Sequence, residues 1–234
     1  MEKIKLTPRL RCVADMAGKC GVLADIGTDH AYIPMYMVQN SLADRAIASD
    51  VVDGPVKIAA GNVSENNLSD KVKVVKADGL DGALGADTIV IAGMGGKLIC
   101  EILGRNLKTA HSAKHLVLQP MTCSEDVRKF LCSEGFAIVK ERLAKEENKI
   151  YNVIVAENGN LSFDDEFYFY VGKALFDGRD PLLLEFLHKK ANVLKRRADG
   201  MAKSDDSSVV ERSKDVYALY ERFLKEAEKY AEGL

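Results

Sequence analysis

The sequence predicts an α/β fold in which a mostly parallel sheet is covered by helices on both faces and is followed by a helical tail. Five short apolar runs alternate with helical stretches between residues 7 and 132, an order typical of strand–helix–strand units. Two further strand-like runs follow with no helix between them. From about residue 181, apolar residues recur at spacings of three and four, which indicates long amphipathic helices.

Composition restricts the class of protein. The 234 residues are 47% hydrophobic and 29% charged, so we expect a globular protein with one large domain, or a domain and an appendage. No apolar run approaches the roughly 20 residues of a membrane-spanning helix, and the opening MEKIKLTPRL lacks the hydrophobic core of a signal peptide. With a net charge of −2, any nucleic-acid site must be a local patch.

The five cysteines indicate a reducing compartment. Their number is odd and no Cys-x-x-Cys pair is present, which argues against a disulfide framework and against a zinc site. We therefore expect a cytoplasmic protein that binds no metal and crosses no membrane. The sequence leaves the oligomeric state open, a monomer included.

The chain begins with a helix that leads into the first strand. Thr7 is predicted as the N-cap, Pro8 suits the first helical position, and Gly21 is predicted to close the helix before a strand at residues 22–26. Further strands are predicted at residues 46–49, 72–75, 88–92 and 116–118. Helices are predicted at residues 55–63, 97–103 and 125–132, the last capped by Ser124. Because these strands are apolar throughout, both faces of the sheet should be covered.

The last two strands of the sheet are predicted at residues 136–139 and 151–155. Only a charged stretch containing LAKEENK separates them, so they should pair as an antiparallel hairpin at one edge. Five parallel strands with such a terminal hairpin is the layout of the Rossmann-like class I methyltransferases, a resemblance of fold alone. We expect this domain to span residues 1–160 and a helical domain to span residues 161–234.

The helical domain carries a heptad pattern. Pro181 is predicted to open one helix, and the polar turn at residues 204–208 separates it from the next. The stripe of the first helix is Leu183, Leu187, Ala191, Leu194, Ala198 and Met201. The seam of the second is Val209, Ser213, Val216, Tyr220, Phe223, Ala227, Tyr230 and Leu234. This spacing favours an antiparallel, coiled-coil-like hairpin, with two ordinary core helices as the alternative.

The stretch LADIGTDHAYIP, residues 23–34, runs from the first strand into a ligand-binding type of turn. Dinucleotide-binding turns need several glycines so that the backbone can approach a pyrophosphate. Here two of the usual glycines are replaced by Asp29 and Ala31. A carboxylate would repel a pyrophosphate, but it suits a ligand with an amino group, such as S-adenosylmethionine (SAM). The turn therefore fits SAM better than NAD.

Acids also end the next two strands. Asp50 is placed to accept from ribose hydroxyls, and Asp78 from an adenine amino group. Each acid alone is more often a loop cap or a solvated carboxylate, whereas three at successive strand ends favour a ligand site. The fourth strand ends in IVIAGMGGKLI, where Gly93, Gly95 and Gly96 leave the backbone bare, either for a ligand or for a tight turn.

Five motifs together resemble the TrmK family, the bacterial tRNA (adenine-N1)-methyltransferases that act on adenine-22. These motifs are ADIGTDHAYIP, DVVDGP, TIVIAGMGG, LVLQP and EENKIY, and the resemblance runs from about Leu6 to Val155. It implies a bacterial, cytoplasmic, SAM-dependent enzyme with tRNA as its substrate. It also implies a SAM site formed by Asp25, Gly27, Asp29, His30, Asp50, Val51, Asp78, Gly79, Ala92 and Gly93.

Methylation of adenine N1 needs no base, because that ring nitrogen has a free lone pair. Orientation should dominate, and a carboxylate near the base would stabilise the developing positive charge. Asp29 is the first candidate, with His30 and Tyr32 beside it. Asp29 could instead bind only the SAM ammonium group, His30 could cap the following helix, and Tyr32 could be a packed aromatic residue.

Basic residues are the candidates for gripping tRNA phosphates. One group is Lys5, Arg9 and Arg11, and the other is Lys189, Lys190, Lys195, Arg196, Arg197 and Lys203, which could also be a solvated helix face. Gly95 and Gln119 are expected to border the target pocket. Two rival functions remain at this point. One is a non-catalytic SAM- or nucleotide-binding module with a partner-binding tail, and the other is an NAD-linked oxidoreductase, which the broken glycine pattern disfavours.

Overall fold

The computed structural model describes residues 3–233 and consists of two compact units with their boundary between Leu175 and Phe176. The functional division expected at residue 160 stays a prediction. Along the described chain, no helix is both long enough and apolar enough to cross a membrane.

The first unit is built on a seven-stranded sheet in the order β3-β2-β1-β4-β5-β7-β6. The strands are β1 (Cys20–Ile26), β2 (Ala43–Asp50), β3 (Val72–Lys76), β4 (Thr88–Gly95), β5 (His115–Thr122), β6 (Phe136–Glu146) and β7 (Lys149–Asn158). The pairs among β1 to β5 are parallel, and β7 is antiparallel to both β5 and β6. The predicted five parallel strands with a terminal antiparallel hairpin are confirmed.

Helices cover both faces of this sheet, as the apolar strands predict. The helices of the first unit are α1 (Pro8–Ala17), α2 (Tyr32–Gln39), α3 (Asp53–Glu65), α4 (Gly96–Arg105), α5 (Leu107–Ser112), α6 (Ser124–Ser133) and α7 (Phe167–Val171), and α8 (Lys173–Asp177) lies at the unit boundary. In β4, Val90 packs with α1 and α2 while Ile89 and Ile91 pack with α4 and α6. Successive strand residues therefore supply two separate cores.

Three predicted helix ends differ in the structure. Gly18, in the left-handed region at φ 63°, ends α1, whereas Gly21 lies inside β1. Cys123, with φ 54°, is the N-cap of α6, so Ser124 is its first helical residue. The helix expected to open at Pro181 begins two residues later, at Leu183.

The terminal hairpin is longer than its apolar residues indicate. β6 and β7 continue well beyond the predicted runs, because β6 is an edge strand whose exposed side tolerates charged residues. One charged residue of β6, Glu141, is nevertheless buried, and it pairs with Arg128 of α6. The Arg128 Nε donates to Glu141 Oε1 at 2.8 Å, and both side chains are fully buried. Arg128 also donates to the carbonyl oxygens of Phe169 and Val171, so one ion pair joins α6, β6 and α7.

The second unit is a helical hairpin of α9 (Leu183–Met201) and α10 (Ser207–Glu232). The helices are antiparallel, because Tyr217 Oη donates to Asp199 and Tyr230 Oη donates to the carbonyl oxygen of Asp180, so contacts move in opposite directions along the chain. Every described position of the predicted stripe and seam is buried or half-buried. Leu234 lies outside the described residues. The coiled-coil geometry of this hairpin stays a prediction.

Candidate functional site

The turn after β1 is fixed by hydrogen bonds to the neighbouring strand. The backbone N–H groups of Gly27 and Thr28 both donate to the carbonyl oxygen of Ser49, at 2.8 and 2.9 Å. Gly27 has φ 76°, and a Cβ at this position would collide with the side-chain methyl group of Met94. The backbone conformation therefore favours glycine here, and any larger residue would also have to displace the flexible end of Met94.

A cavity of about 380 Å³ opens beside this turn. It lies where β1 and β4 are neighbours and the strand order reverses, which is where open α/β sheets bind ligands. Its lining residues are Arg9, Leu10, Asp25, Gly27, Thr28, Asp29, His30, Tyr32, Ile33, Ala92 and Gly93. The structure thus brings together six of the ten residues expected to bind SAM.

Asp25 is the buried acid of this cavity. Its side chain lies at the end of β1, and burial raises its pKa from 3.8 to about 7. The charge of Asp50 raises the pKa further, while a hydrogen bond to Thr28 opposes the shift. A buried carboxyl group without a cation beside it is costly to ionise. The cavity is therefore suited to a positively charged ligand.

Asp29, His30 and Tyr32 form the exposed side of the cavity. His30 Nε2 lies 3.2 Å from Asp29 Oδ2, and the His30 and Tyr32 rings are stacked with centroids 5.1 Å apart. The N-cap of α2 is Ala31, which makes no side-chain cap, so His30 does not cap that helix. Tyr32 is 42% exposed and is not a packed core residue. The three side chains are available to a second ligand at the cavity entrance.

Arg9 of α1 also lines the cavity and is held there by three contacts. Its guanidinium Nη1 donates to Gln119 Oε1 at 2.6 Å, and the guanidinium carbon Cζ lies over the Tyr151 ring, 5.6 Å from the ring centroid. Its backbone N–H donates to Glu146. The same Gln119 oxygen accepts from the Gly93 N–H at 3.1 Å, which fixes the bulge in β4.

Gln119 itself does not line the cavity. It is fully buried, and its amide nitrogen donates to the Pro120 carbonyl oxygen at 3.0 Å. The sequence-based expectation that its amide borders the target pocket stays a prediction. In this structure Gln119 acts through Arg9 and Gly93, because all of its polar atoms are bound within the protein.

The three glycines at the end of β4 and the start of α4 are explained by different features of the structure. A Cβ on Gly96 would collide with the carbonyl oxygens of Thr122 and Cys123, so close backbone approach explains this residue. Gly93 has φ 82° and borders the cavity. Gly95 is the N-cap of α4 and would tolerate a Cβ 3.4 Å from Thr122 Oγ1. Only Gly93 of the three lines the cavity.

Asp50 lies close to the cavity, whereas Asp78 does not. The Asp50 carboxylate accepts from the Val52 N–H at 2.7 Å, and the adjacent Val51 is 55% exposed. Asp78 accepts from Arg105 at 3.0 Å. Asp78 and Gly79 line a separate cavity of about 140 Å³. The expected contact of Asp78 with an adenine amino group stays a prediction, and it would share the carboxylate with Arg105.

Two predicted phosphate-binding residues of the first unit differ in their surroundings. Arg9 is the cavity residue described above. Arg11 points away from the cavity lining, pairs with Asp15 at 2.8 Å and lies over the Tyr36 ring at 5.2 Å. Its charge is already partly satisfied within α1 and α2.

The predicted basic cluster of the second unit lies on an exposed face of α9. Lys195, Arg196 and Arg197 are all exposed. Lys195 Nζ lies 3.7 Å from Asp199, and Arg196 Nε donates to a carbonyl oxygen one turn back. These are weak surface contacts that a ligand could replace.

No candidate metal site is present in the part of the chain that the structure describes. Groups of three or more His, Cys, Asp or Glu side chains that could hold an ion do not occur among residues 3–233.

Comparison with known proteins gives consistent results. Residues 23–218 match the family model described as TrmK, tRNA (adenine(22)-N(1))-methyltransferase. The chain is 40% identical over 162 residues to the tRNA (adenine(22)-N(1))-methyltransferase of Bacillus subtilis, covering 68% of each protein. The crystal structure of B. subtilis TrmK superposes with a TM-score of 0.84 at 31% identity, over 96% of this chain and 99% of that one. Streptococcus pneumoniae Sp1610 in complex with S-adenosyl-L-methionine gives 0.83 at 30% identity, over 94% and 100%.

Proposed function

Because the chain belongs to the TrmK family of tRNA (adenine(22)-N(1))-methyltransferases, we infer that it transfers the methyl group of SAM to N1 of adenine-22 in tRNA. The family match over residues 23–218 carries this conclusion, and the cavity at the strand-order reversal supplies the place for the chemistry. The same comparisons support an enzyme over a non-catalytic SAM-binding module.

The cavity residues fit SAM as a cofactor. SAM supplies a methyl group bound to a positively charged sulfonium, and its methionine part adds an ammonium and a carboxylate. The buried Asp25 can provide a negative charge for the cationic groups, since burial raises its pKa and only a hydrogen bond to Thr28 opposes that shift. Arg9 provides a fixed positive charge in the same cavity. We propose that Asp25 faces the ammonium group and that Arg9 binds the carboxylate.

Asp50 and Val51 are proposed to hold the nucleoside part of SAM. Replacing Asp50 with alanine should weaken SAM binding by about 1.5–3 kcal/mol, the contribution of hydrogen bonds to a charged group. Titration calorimetry with SAM measures this change, and Asp70→Ala, in an exposed loop at the start of β3, is the matched control. A folded Asp50→Ala protein with unchanged SAM affinity would remove Asp50 from the site.

SAM binding should depend on pH through Asp25. The pKa of about 7 means that the carboxyl group is mostly protonated at pH 6, and the cationic cofactor favours its ionised form. Affinity should therefore rise roughly five- to tenfold from pH 6 to pH 7.5, with proton release on binding at the lower pH. In the free protein the same shift lowers stability as the pH rises from 3.8 to about 7, because there the folded chain binds more protons than the unfolded chain.

Calorimetry in buffers of different ionisation enthalpy measures this proton release. Asp25→Asn should abolish both the release and the pH dependence of affinity. Affinity that is flat between pH 6 and pH 7.5 in the unchanged protein would contradict this role of Asp25.

The target base is proposed to meet Asp29, His30 and Tyr32 at the cavity entrance. Attack by N1 needs no deprotonation, so orientation can supply most of the acceleration, about 7–11 kcal/mol in favourable cases. The product base is cationic, and a nearby carboxylate stabilises that charge as it forms. The Asp29 side chain is 66% exposed whereas Asp25 is buried, and this difference supports our proposal that Asp29 meets the base and Asp25 the cofactor. The stacked His30 and Tyr32 rings offer a flat surface for the adenine.

We propose that Lys195, Arg196 and Arg197 bind tRNA phosphates. Reversal of all three to glutamate should weaken tRNA binding. It should also reduce the slope of log binding constant against log salt concentration by about two to three, since fewer counterions are released. Filter binding across a salt series measures both quantities. The matched control reverses Arg212, Lys214 and Lys225 on α10. If cluster and control behave alike, the cluster is only a solvated helix face.

The cellular location of the enzyme is inferred from its substrate. We propose that the protein acts in the cytoplasm, where tRNA is modified, and that it works as a monomer. Its site is proposed to be complete within one chain, because every residue assigned to the cofactor and the base belongs to the first unit.

A further inference from the structure

The β6–β7 hairpin continues beyond its pairing with the rest of the sheet. β7 pairs with β5 only as far as Leu118↔Ile154. β6 and β7 remain paired for five further residue pairs, from Arg142↔Val153 to Glu146↔Lys149. At about 3.4 Å per residue this extension is roughly 17 Å long. Since β7 is antiparallel to β5, it extends past the carboxyl ends of the parallel strands, which is the end that holds the cavity.

The extension is held against the wall of the cavity. Glu146, near its tip, accepts from the Arg9 backbone N–H at 3.1 Å, and Tyr151 lies under the Arg9 guanidinium. Ala144 is buried in the core that α1 shares. Because Arg9 lines the cavity, the hairpin contacts a residue of the cavity wall and is held one side chain away from the cavity.

Three exposed cations lie on one face of this hairpin. Directly opposed residues of an antiparallel pair share a face, and Val155 and Val153 belong to the core on the α1 side. Their partners Lys140 and Arg142 therefore lie on the α1 side as well, and so does Lys149, which is opposite Glu146. All three cations are exposed.

These cations have few competing acids. Within residues 3–233, no carboxylate forms an ion pair with Lys140, Arg142 or Lys149. Of the nearby acids, Glu141 is buried against Arg128 and Glu146 accepts from the Arg9 backbone, which leaves Glu147 as an exposed acid in the hairpin turn. Arg11, Lys76 and Arg105, by contrast, each have a carboxylate partner.

We propose that Lys140, Arg142 and Lys149, the hairpin cations, bind phosphate groups of the tRNA beside the nucleotide that enters the cavity. This rests on the proposed function, because it assumes that tRNA approaches the cavity entrance. Phosphate contacts fix the position of a nucleic acid without reading its sequence. The hairpin cations would therefore bind the tRNA backbone from within the first unit and raise its affinity, independently of the basic cluster on α9.

Edge-strand lysines also have a protective use. β6 is the edge of the sheet, and charges on an edge strand prevent pairing with another chain. If that were their whole role, their removal would cause self-association and leave tRNA binding intact. The two roles predict different measurements.

The test is the triple variant Lys140→Glu, Arg142→Glu and Lys149→Glu. Its matched control is Arg45→Glu, Lys71→Glu and Lys73→Glu, which makes the same charge change with exposed residues in or next to β2 and β3, on the other side of the sheet from β6. The hairpin variant should raise the KM for tRNA at least about tenfold and reduce the log–log salt slope of binding by about two to three. Its SAM affinity, and its kcat at saturating tRNA, should match those of the unchanged protein.

Each outcome separates this surface from the proposed function. A hairpin variant whose KM and salt slope equal those of the control would overturn the proposal that the hairpin cations bind tRNA. Self-association in gel filtration with normal tRNA affinity would overturn it as well. An unchanged protein that neither binds nor methylates tRNA would overturn the proposed function and, with it, the proposed role of the hairpin cations. A loss in the hairpin variant alone, with a folded monomer and normal SAM binding, supports it.

Discussion

Replacement of Asp29 by alanine is expected to lower the turnover number by about 100- to 1,000-fold while SAM affinity changes by less than about twofold. The magnitude is that of removing one group that stabilises charge in a transition state. The split follows from the placement of Asp29, which is exposed beside His30 at the cavity entrance, whereas Asp25 is buried at the end of β1. An interaction made mainly in the transition state lowers kcat and leaves cofactor binding unchanged.

Single-turnover kinetics with saturating tRNA, together with calorimetric SAM affinity, measure the two effects separately. Asp29→Asn keeps the size of the side chain and removes its charge, so it should lose nearly as much turnover as Asp29→Ala. Asp70→Ala is the control for a surface carboxylate at the other end of the sheet. A loss of SAM affinity with normal turnover at saturating SAM would assign Asp29 to the ammonium group, and normal values for both would exclude it from the site.

The second large effect concerns stability. Arg128→Met should reduce the free energy of unfolding by about 3–5 kcal/mol, because it leaves the buried Glu141 carboxylate without its partner. The loss also frees the carbonyl oxygens of Phe169 and Val171 from the guanidinium, so α7 should detach first. Denaturant unfolding followed by circular dichroism measures the free energy.

Arg45→Met, at an exposed position of β2, is the matched control and should change the free energy by less than about 1 kcal/mol. The double variant Arg128→Met, Glu141→Leu should recover much of the lost stability, since two apolar residues replace the whole buried pair. An Arg128→Met protein as stable as the control would show that the pair contributes nothing to the fold.

The sheet is predictable because its physical signal is local. Continuous apolar runs in β1 and β4 require burial on both faces, and helices between parallel strands follow from the connections they need. The hairpin strands β6 and β7 are longer than their sequence predicts, since charged residues at an edge resemble a loop. The left-handed conformations of Ala31 and Cys123 have no signal in residue type, because side chains with a Cβ rarely adopt them.

The cofactor turn is also predictable in part. Gly27 and the acids beside it lie within a few residues of one another in the sequence, so the turn alone is enough to predict a cationic ligand. The contact between Arg9 and Gln119 joins residues 110 positions apart, and nothing local indicates that Gln119 is buried. Asp78 lies at a strand end as the sequence predicts, but its ion pair with Arg105 depends on α4. The buried Arg128–Glu141 pair has no sequence signal, because charged residues in a charged stretch look solvated.

The most direct test of the central claim is nucleoside analysis of tRNA after incubation with the protein and methyl-labelled SAM. Two transcripts should be compared, one with adenine at position 22 and one that differs only by guanine at that position. The account predicts N1-methyladenosine at position 22 of the first transcript and no label in the second. Equal labelling of both transcripts, label in another base, or an unmodified first transcript in the presence of a protein that binds SAM would contradict it.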